Sequence, residues 1–220
     1  LILFPALFVL SLYFEPLQNK VVSILAKYAS DYVGSEITIG GLYIEPFTTL
    51  KLDGVLIRDF QQDTLIYCDA AFVNFLDFNQ ESLDLDLDFI RVERGYFNLK
   101  VYQGDSLNNM QHFINAFPNS SADTSSTVVT IHGKNVFLEK LRFAYNDENE
   151  PKLGSGQIDF QHLDIKGISG SFSDIVIVND SVEASIHRLK LEEQSGFLIR
   201  HFSADASVSS NRIICENLEL

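Results

Sequence analysis

Residues 83–89 read LDLDLDF, and this stretch decides the fold class because apolar and acidic side chains alternate through it without interruption. Successive side chains of a β-strand point to opposite faces of its sheet, so a period of two separates the two kinds of side chain. We expect Leu85 and Leu87 to face an apolar interior and the three aspartates to face water. The stretch therefore predicts a half-buried β-strand.

The same period of two recurs from Ile37 to the end of the chain, and turn signals such as Asp53-Gly54 separate the runs. This criterion predicts about a dozen strands. A short helix-like segment at 107–117 interrupts them. The residues that the pattern places in the apolar interior are Leu83, Leu85, Leu87, Phe89, Phe97, Leu99, Val101, Leu141 and Phe143.

The predicted architecture follows from how such strands bury their apolar face. About a dozen amphipathic strands present one large apolar surface, and two short helices are too few to cover it. The sheet must therefore fold over itself as a sandwich, a barrel or a long trough. We expect a mainly β protein with a curled, groove-forming and antiparallel-rich sheet. Either its own side chains or bound acyl chains could fill such a groove, and the pattern favours neither.

Residues 1–14 read LILFPALFVLSLYF and carry no charge. As a helix this run covers roughly 21 Å, at ~1.5 Å per residue, against about 30 Å of bilayer hydrocarbon. The run favours a membrane-spanning helix, with an uncleaved signal peptide and a buried core helix as alternatives. Because no basic residue follows before Lys20, the positive-inside rule favours export of the remaining chain. Met110 is the only methionine, so we expect the N-terminal part of a longer protein that lacks a few leading residues. The predicted anchor residues are Leu3, Phe4, Leu7, Phe8, Leu10 and Leu12.

A second, amphipathic helix is predicted directly after this anchor. Pro16 suits the first turn of a helix and Gly34 suits its end, while apolar residues recur between them at helical spacing. This helix either caps the sheet or lies on the membrane as an entrance collar. We therefore expect an anchor at 1–14, a capping helix at 15–34 and a groove domain at 35–220 that continues beyond the last residue.

Charge and residue spacing argue against several classes of function. The formal net charge of -14 disfavours nucleic acids and anionic lipid headgroups as partners. The acidic ladder at 84–88 is straight, so its carboxylates cannot converge on a cation without other ligands. The five histidines lie in separate segments, away from any nucleophile-elbow motif. We therefore expect no catalytic residue, metal site or cofactor. Cys68 is expected to be a buried free thiol, with a disulfide to Cys215 as the alternative.

The order of several motifs resembles the AsmA-like family, in particular its TamB branch. After the apolar start and the helix that follows Pro16 comes ITIGGLYIEPFTTLKLDGVLIRD at 37–59. The segment DTLIYCDA at 63–70 is similar to a strand that opens with D-T-L in these proteins. The segment DSLNNMQHFINAF at 105–117 is similar to their short N-x-x-x-F-I-x-x-F helix. EQSGF at 193–197 is similar to the E-x-S-G-F turn of members from Bacteroidota.

The resemblance implies a single-pass inner-membrane protein of a diderm bacterium, with the bulk of its chain in the periplasm. It implies a β-taco, which is a long U-shaped sheet around an apolar groove that holds phospholipid. It also implies one or both of two functions. These are lipid transfer towards the outer membrane, and the assembly and secretion of outer-membrane proteins. The implied partner is a BamA-like outer-membrane barrel, reached through a C-terminal region that this sequence lacks. Members of this family are not enzymes.

Two function hypotheses remain, with an enzyme as a weaker third. In the first, the apolar residues line an open groove along which acyl chains move. In the second, the protein is a scaffold or chaperone whose groove is filled by its own side chains or which pairs with strands of an outer-membrane protein. A groove that stays open and lined up to the last strand favours the first hypothesis, and a tightly packed sandwich favours the second.

Overall fold

The structure is a computed structural model. It describes residues 26, 27, 30, 34–45, 49–79, 84–116, 130–154, 156–178, 181–209 and 212–220. The six predicted anchor residues, most of the predicted capping helix and the predicted groove residue Leu83 lie outside these ranges. Within them, no helix has both the length and the apolar composition that crossing a membrane requires. Gly34, the predicted end of the capping helix, has a φ of 69° and donates its N–H to the Ser30 carbonyl.

The described chain forms one sheet of ten strands, and a short helix lies between the fourth and fifth of them. The prediction of a mainly β protein is therefore confirmed. The strands are β1 (Ile37–Glu45), β2 (Thr49–Arg58), β3 (Thr64–Asn79), β4 (Asp84–Val101), β5 (Thr130–Asp147), β6 (His162–Val178), β7 (Ser181–Glu193), β8 (Leu198–Ile199), β9 (Ser203–Ser209) and β10 (Arg212–Glu219). They follow one another in the sheet in chain order, except that β7 pairs with both β8 and β9. The sheet is not closed, because β1 pairs only with β2 and β10 only with β9 among the described strands.

Every pairing in the described sheet is antiparallel except that of β4 with β5. Parallel neighbours need a crossover connection, and this one contains the helix α1 (Asn109–Asn115). The helix begins with a capping box, in which Asn108 and Gln111 each accept a hydrogen bond from the other's backbone N–H. It lies at the end of β4, where Asn109 accepts a hydrogen bond from the Lys100 N–H.

One face of the sheet is apolar across all its principal strands. Paired residues on neighbouring strands share a face, so the pairing register defines rows that cross the sheet. Four such rows are apolar at nearly every position. The first runs through Ile37, Ile57, Ile66, Phe97, Phe143 and Ile165 to Glu193. The second runs through Leu42, Leu52, Ala71, Val92, Leu138, Gly170 and Leu189. The third runs through Ile44, Leu50, Val73, Ile90, Val136, Phe172, Ile186 and Ala204. The fourth runs through Leu85, Ile131, Ile177, Val182, Val208 and Ile213. We call the surface formed by these rows the apolar face and the opposite surface the polar face.

A line of left-handed residues keeps the first two rows on the same face. Gly54, Arg94, Lys140 and Gly167 have φ values of 59°, 49°, 56° and 62°, at similar levels of β2, β4, β5 and β6. Each such residue interrupts the regular alternation, so that positions three apart point to one side. A Cβ built on Gly95 would accordingly lie 3.4 Å from a Val92 methyl group. The sequence period of two therefore restarts at this line.

Substitutions at Lys140 should reveal this left-handed conformation in solution. A left-handed backbone costs a non-glycine residue about 1–2 kcal/mol, and it is least compatible with β-branched side chains. We expect Lys140→Gly to leave the free energy of unfolding unchanged or slightly higher, because lost strain offsets the added chain entropy. Lys140→Val should lower it by about 1–2 kcal/mol. Urea unfolding of both variants measures the difference, and a glycine variant as unstable as the valine variant would contradict the assignment.

Candidate functional site

The predicted groove residues that the structure describes lie on the apolar face, with one exception. Phe97 and Phe143 are direct partners in the first row, with ring centroids 5.8 Å apart. A Cβ on Gly95 would lie 2.9 Å from a Leu141 methyl group, which places Leu141 on the same side. Leu99 and Val101 follow Phe97 by alternation, and Leu85 lies in the fourth row with Leu87 two positions after it.

Phe89 is the exception, and the prediction that it shares a face with Leu85 and Leu87 is wrong. Its register row runs through Asn74, Phe89, Asn135, Ser173, Ser185 and Asp205, in which Phe89 is the only apolar residue. The alternation breaks between Leu87 and Ile90, where the pairing of β4 with β3 shifts register. On β5 the same break brings a Cβ on Gly133 within 3.4 Å of Val136 and 3.7 Å of Ile90. An unbroken period of two could not predict this irregular step.

The break in alternation also separates Asp88 from the other two aspartates of the acidic ladder. Asp84 and Asp86 lie on the strand face opposite Leu85 and Leu87, as predicted, and are half-buried. Asp88 falls in the irregular step, where its carbonyl accepts a hydrogen bond from the Asn135 side chain. The described residues contain no group of three or more His, Cys, Asp or Glu side chains placed to hold a metal ion.

No second layer of the described chain covers the apolar face. Phe97, Phe143, Leu138 and Ile165 occupy the middle of the sheet, yet all remain half-buried. Residues at the centre of a packed sandwich are normally inaccessible to solvent. The extensive contacts between described elements are those of neighbouring strands and of α1 with β4.

Solvent exposure on this face rises towards the last strands. Leu87 and Val136 are 6% and 7% exposed in the middle of the sheet. Val182, Val208 and Ile213 on β7, β9 and β10 are 38%, 40% and 74% exposed. The lining therefore continues to β10 with no described residues that close it. Cys68 also lies on this face, opposite Gly95. It is buried and free, as predicted, and burial raises the pKa of its thiol.

The polar face contains aromatic rings, but cations cover them. The Lys51 ammonium lies 5.3 Å from the Tyr43 ring centre and 5.7 Å from that of Phe72. The Arg91 guanidinium lies 5.9 Å from the Phe72 ring and 5.3 Å from the Phe89 ring. Such cation–π contacts keep the charged groups in water above the rings. This arrangement explains how Phe89 can lie on the water-facing side.

A buried polar cluster attaches the crossover to the sheet. Asp59 and Asn109 are both fully buried, and the Asn109 amide donates to Asp59 Oδ2 and to the Asn98 carbonyl at 3.0 Å each. The Tyr102 hydroxyl donates to Asp59 Oδ2 at 2.7 Å. Burial and the Asp59 carboxylate raise the pKa of Tyr102 well above its ordinary value, so the phenol stays protonated. The cluster fixes the end of β4, from which the chain crosses over to the parallel strand β5.

A cavity of about 560 Å³ lies on the polar face beneath the connection from β5 to β6. Four of its ionisable side chains form two pairs, Arg142 with Asp164 and His162 with Asp159. Arg142 donates two hydrogen bonds to Asp164, at 2.7 and 2.9 Å, and lies 4.9 Å from the Tyr96 ring centre. His162 Nδ1 lies 2.9 Å from Asp159 Oδ2. The arrangement fixes this connection against the sheet.

Glu193 is a buried charged residue that the sequence analysis missed. It is the one charged residue in the four apolar rows, directly opposite Ile165. Only 3% of its surface is exposed. Oε2 accepts the Ser195 N–H at 2.8 Å, whereas no described group donates to Oε1. The signal was present in the sequence, because Leu189, Leu191 and Glu193 alternate with a period of two.

Comparison with known proteins adds no relative. No family model matches this chain, and no curated protein does. The resemblance to the TamB branch therefore stays a prediction that depends on the motifs quoted above.

Proposed function

We propose that this protein is an inner-membrane-anchored periplasmic component of the TamB type that carries phospholipid acyl chains along its apolar face. In this proposal residues 1–14 anchor the chain, and the groove conducts lipid towards the outer membrane. A BamA-like barrel is the proposed partner at the far end, and the protein is not an enzyme.

The observation that carries the proposal is the continuity of the apolar face. Twenty-six of the twenty-eight positions in the four rows are occupied by apolar residues other than glycine, and the remaining two are Gly170 and Glu193. Each methylene group buried there gains about 0.8 kcal/mol, so an acyl chain is held strongly overall. A wall of similar side chains offers no single deep site, which suits movement along the groove.

A second candidate function is supported by the last strand. β10 pairs only with β9 among the described strands, so a strand added on its other side would extend the sheet. Ile213 is 74% exposed and Leu218 is 51% exposed on this strand. A scaffold that pairs with strands of an outer-membrane protein would use such an edge.

Lipid extraction and mass spectrometry of the purified protein test the first function. We expect co-purified phospholipid in amounts comparable to the protein, and we expect its loss when a charge is placed on the apolar face. Protein that is free of lipid after mild detergent extraction, and that takes up none from vesicles, would contradict the conduit. Photo-crosslinking from β10 that captures client strands but no lipid would favour the scaffold.

A further inference from the structure

We propose that the border of the sheet at which β2, β4, β5 and β7 end is a docking surface for a cationic amphipathic helix of a partner protein. This inference goes beyond the proposed function, because it holds whether or not the apolar face carries lipid. We call this border the loop border, and it consists of residues 59–63, 102–108, 148–154, 156–161 and 194–197.

The first step is the exposure of large apolar side chains along the loop border. Phe60, Leu153, Phe160 and Phe197 are between 45% and 71% exposed. They come from the connections that follow β2, β5 and β7. Single exposed apolar residues are common, but a line of them along one border is typical of an interaction surface. The loop border therefore offers several apolar anchors to a partner.

The second step is that hydrogen bonds hold the loop border in one arrangement. The Tyr102 hydroxyl donates to Asp59 at 2.7 Å, and the Gln103 N–H donates to Glu148 at 3.1 Å. These bonds join the connections that follow β2, β4 and β5. The Phe60 ring has its centre 5.2 Å from that of Tyr102, so this exposed ring is also held in place. A surface that is ordered before binding loses little conformational entropy in the complex.

The third step is the charge of the loop border, which selects a basic partner. Lys152 is the only lysine or arginine in its segments. The carboxylates in these segments are those of Asp59, Asp63, Asp105, Glu148, Glu150 and Asp159. Lys100 at the end of β4 offsets part of this charge, because its ammonium lies 3.1 Å from Asp63 and 3.0 Å from Glu148. The remaining acidic excess attracts a cationic partner, and it repels a second copy of the same border and anionic lipid headgroups.

The fourth step concerns the conformation of the partner, because the loop border consists of turns and not of a strand edge. The Asp59 N–H donates to the Asp63 carbonyl and the Glu148 N–H to the Val101 carbonyl, both at 2.9 Å. A partner strand cannot pair with groups that are already bonded, whereas a helix satisfies its own backbone and binds through its side chains. An amphipathic helix therefore suits this border.

The apolar anchors set the length of that helix. Phe60 follows β2 and Phe197 follows β7, so about five strand spacings of ~4.8 Å lie between them, or about 24 Å. At ~1.5 Å per residue, this distance corresponds to about 16 residues of helix. Leucine on one side of such a helix would contact the anchors, and lysine beside it would face the carboxylates.

Fluorescence anisotropy of a labelled peptide tests the inference on the purified protein. The probe is an amphipathic helix of about 16 residues made of leucine and lysine. Phe160→Ser should weaken its binding roughly tenfold, as for an aromatic residue that anchors an interface. Phe160 is 71% exposed, so the variant should fold. Phe75→Ser is the matched control and should bind normally, because Phe75 is 42% exposed but pairs with Leu87 on the apolar face.

A second pair of variants tests the charge of the loop border. Glu150→Lys reverses the charge of an exposed border residue and should weaken binding several-fold. Glu216→Lys makes the same change at an exposed residue of β10 and should have little effect. A peptide with glutamate in place of lysine should not bind.

Several outcomes would overturn the inference. The peptide fails to bind the native protein, or Phe160→Ser binds it as tightly as the native protein does. Equal losses in Phe75→Ser and Phe160→Ser place the peptide on the apolar face. Phosphatidylcholine vesicles that bind through Phe160 identify a membrane contact, and a dimer that Phe160→Ser dissociates identifies a second copy. Lipid co-purification is measured separately, so the proposed function can stand or fail independently of these results.

Discussion

Phe97→Glu should block the passage of lipid across β4 and leave the protein folded. Phe97 lies in the first apolar row and is half-buried, so a carboxylate there can stay hydrated. An acyl chain that passes this point must remove water from the charge, which costs several kcal/mol. The variant loses part of the aromatic contact with Phe143 and some apolar burial, so we expect about 2 kcal/mol lower stability.

Photo-crosslinking in cells measures this block. Photoreactive residues at Ile57 on β2 and at Ile165 on β6 lie on opposite sides of Phe97 in the first row. With Phe97→Glu we expect lipid crosslinking to persist at one of these positions and to fall at least tenfold at the other. Thermal unfolding of the purified variant shows whether the domain remains folded.

Two further variants make this experiment decisive. Phe89→Glu is the same chemical change on the same strand but on the polar face, 5.3 Å from the Arg91 guanidinium in the native protein, so it should leave crosslinking unchanged. Leu87→Arg buries a charge at a residue that is 6% exposed, so it should unfold the domain. If Phe97→Glu unfolds the domain as Leu87→Arg does, the face is a packed core. If Phe89→Glu blocks lipid equally, the assignment of the two faces is wrong.

The alternating pattern predicted the class of the fold but could not predict where the alternation changes phase. Leu85, Leu87, Phe97 and Phe143 lie on the predicted face because each belongs to a regular run. Phe89 does not, since a break in alternation between Leu87 and Ile90 reverses its direction. The left-handed conformations of Arg94 and Lys140 could not be predicted either, because neither side chain type favours them.

The alternating pattern could not predict the parallel pairing of β4 with β5 either. Alternation identifies strands but not their direction, and hairpin signals predict antiparallel neighbours. The residues that fix the crossover are a fully buried Asp59 and Asn109, which lie 50 positions apart in the sequence. Polar residues at a turn and at a helix start are normally expected to be solvated. Their burial follows from the crossover, which brings together residues that are too far apart for any short stretch of sequence to contain both.

Asn109→Leu should lower the free energy of unfolding by about 3–5 kcal/mol. The Asn109 side chain makes three hydrogen bonds, to Asp59 Oδ2, the Asn98 carbonyl and the Lys100 N–H. Leucine has a similar volume but makes none, so it leaves buried polar groups unpaired beside a buried carboxylate. Asn135→Leu is the control, because exposed Asn135 donates one hydrogen bond to the Asp88 carbonyl, and it should cost less than about 1 kcal/mol. Equal losses in urea unfolding would contradict a special role for the cluster.

Asn109→Asp in the same cluster should make the free energy of unfolding depend on pH in a definite direction. The new carboxyl group would lie beside buried Asp59, so burial and like charge raise its pKa in the folded state. When it is protonated it can still donate one hydrogen bond, and when it is ionised it repels Asp59. A raised folded-state pKa means that stability is retained below the ordinary aspartate value of about 3.9 and is lost as the pH rises through the raised value. We therefore expect the difference in unfolding free energy from the native protein to be small near pH 4 and to grow steadily towards pH 8. A difference that is constant over this range would show that the new carboxyl group is solvated and that the crossover does not depend on the buried contact between α1 and Asp59.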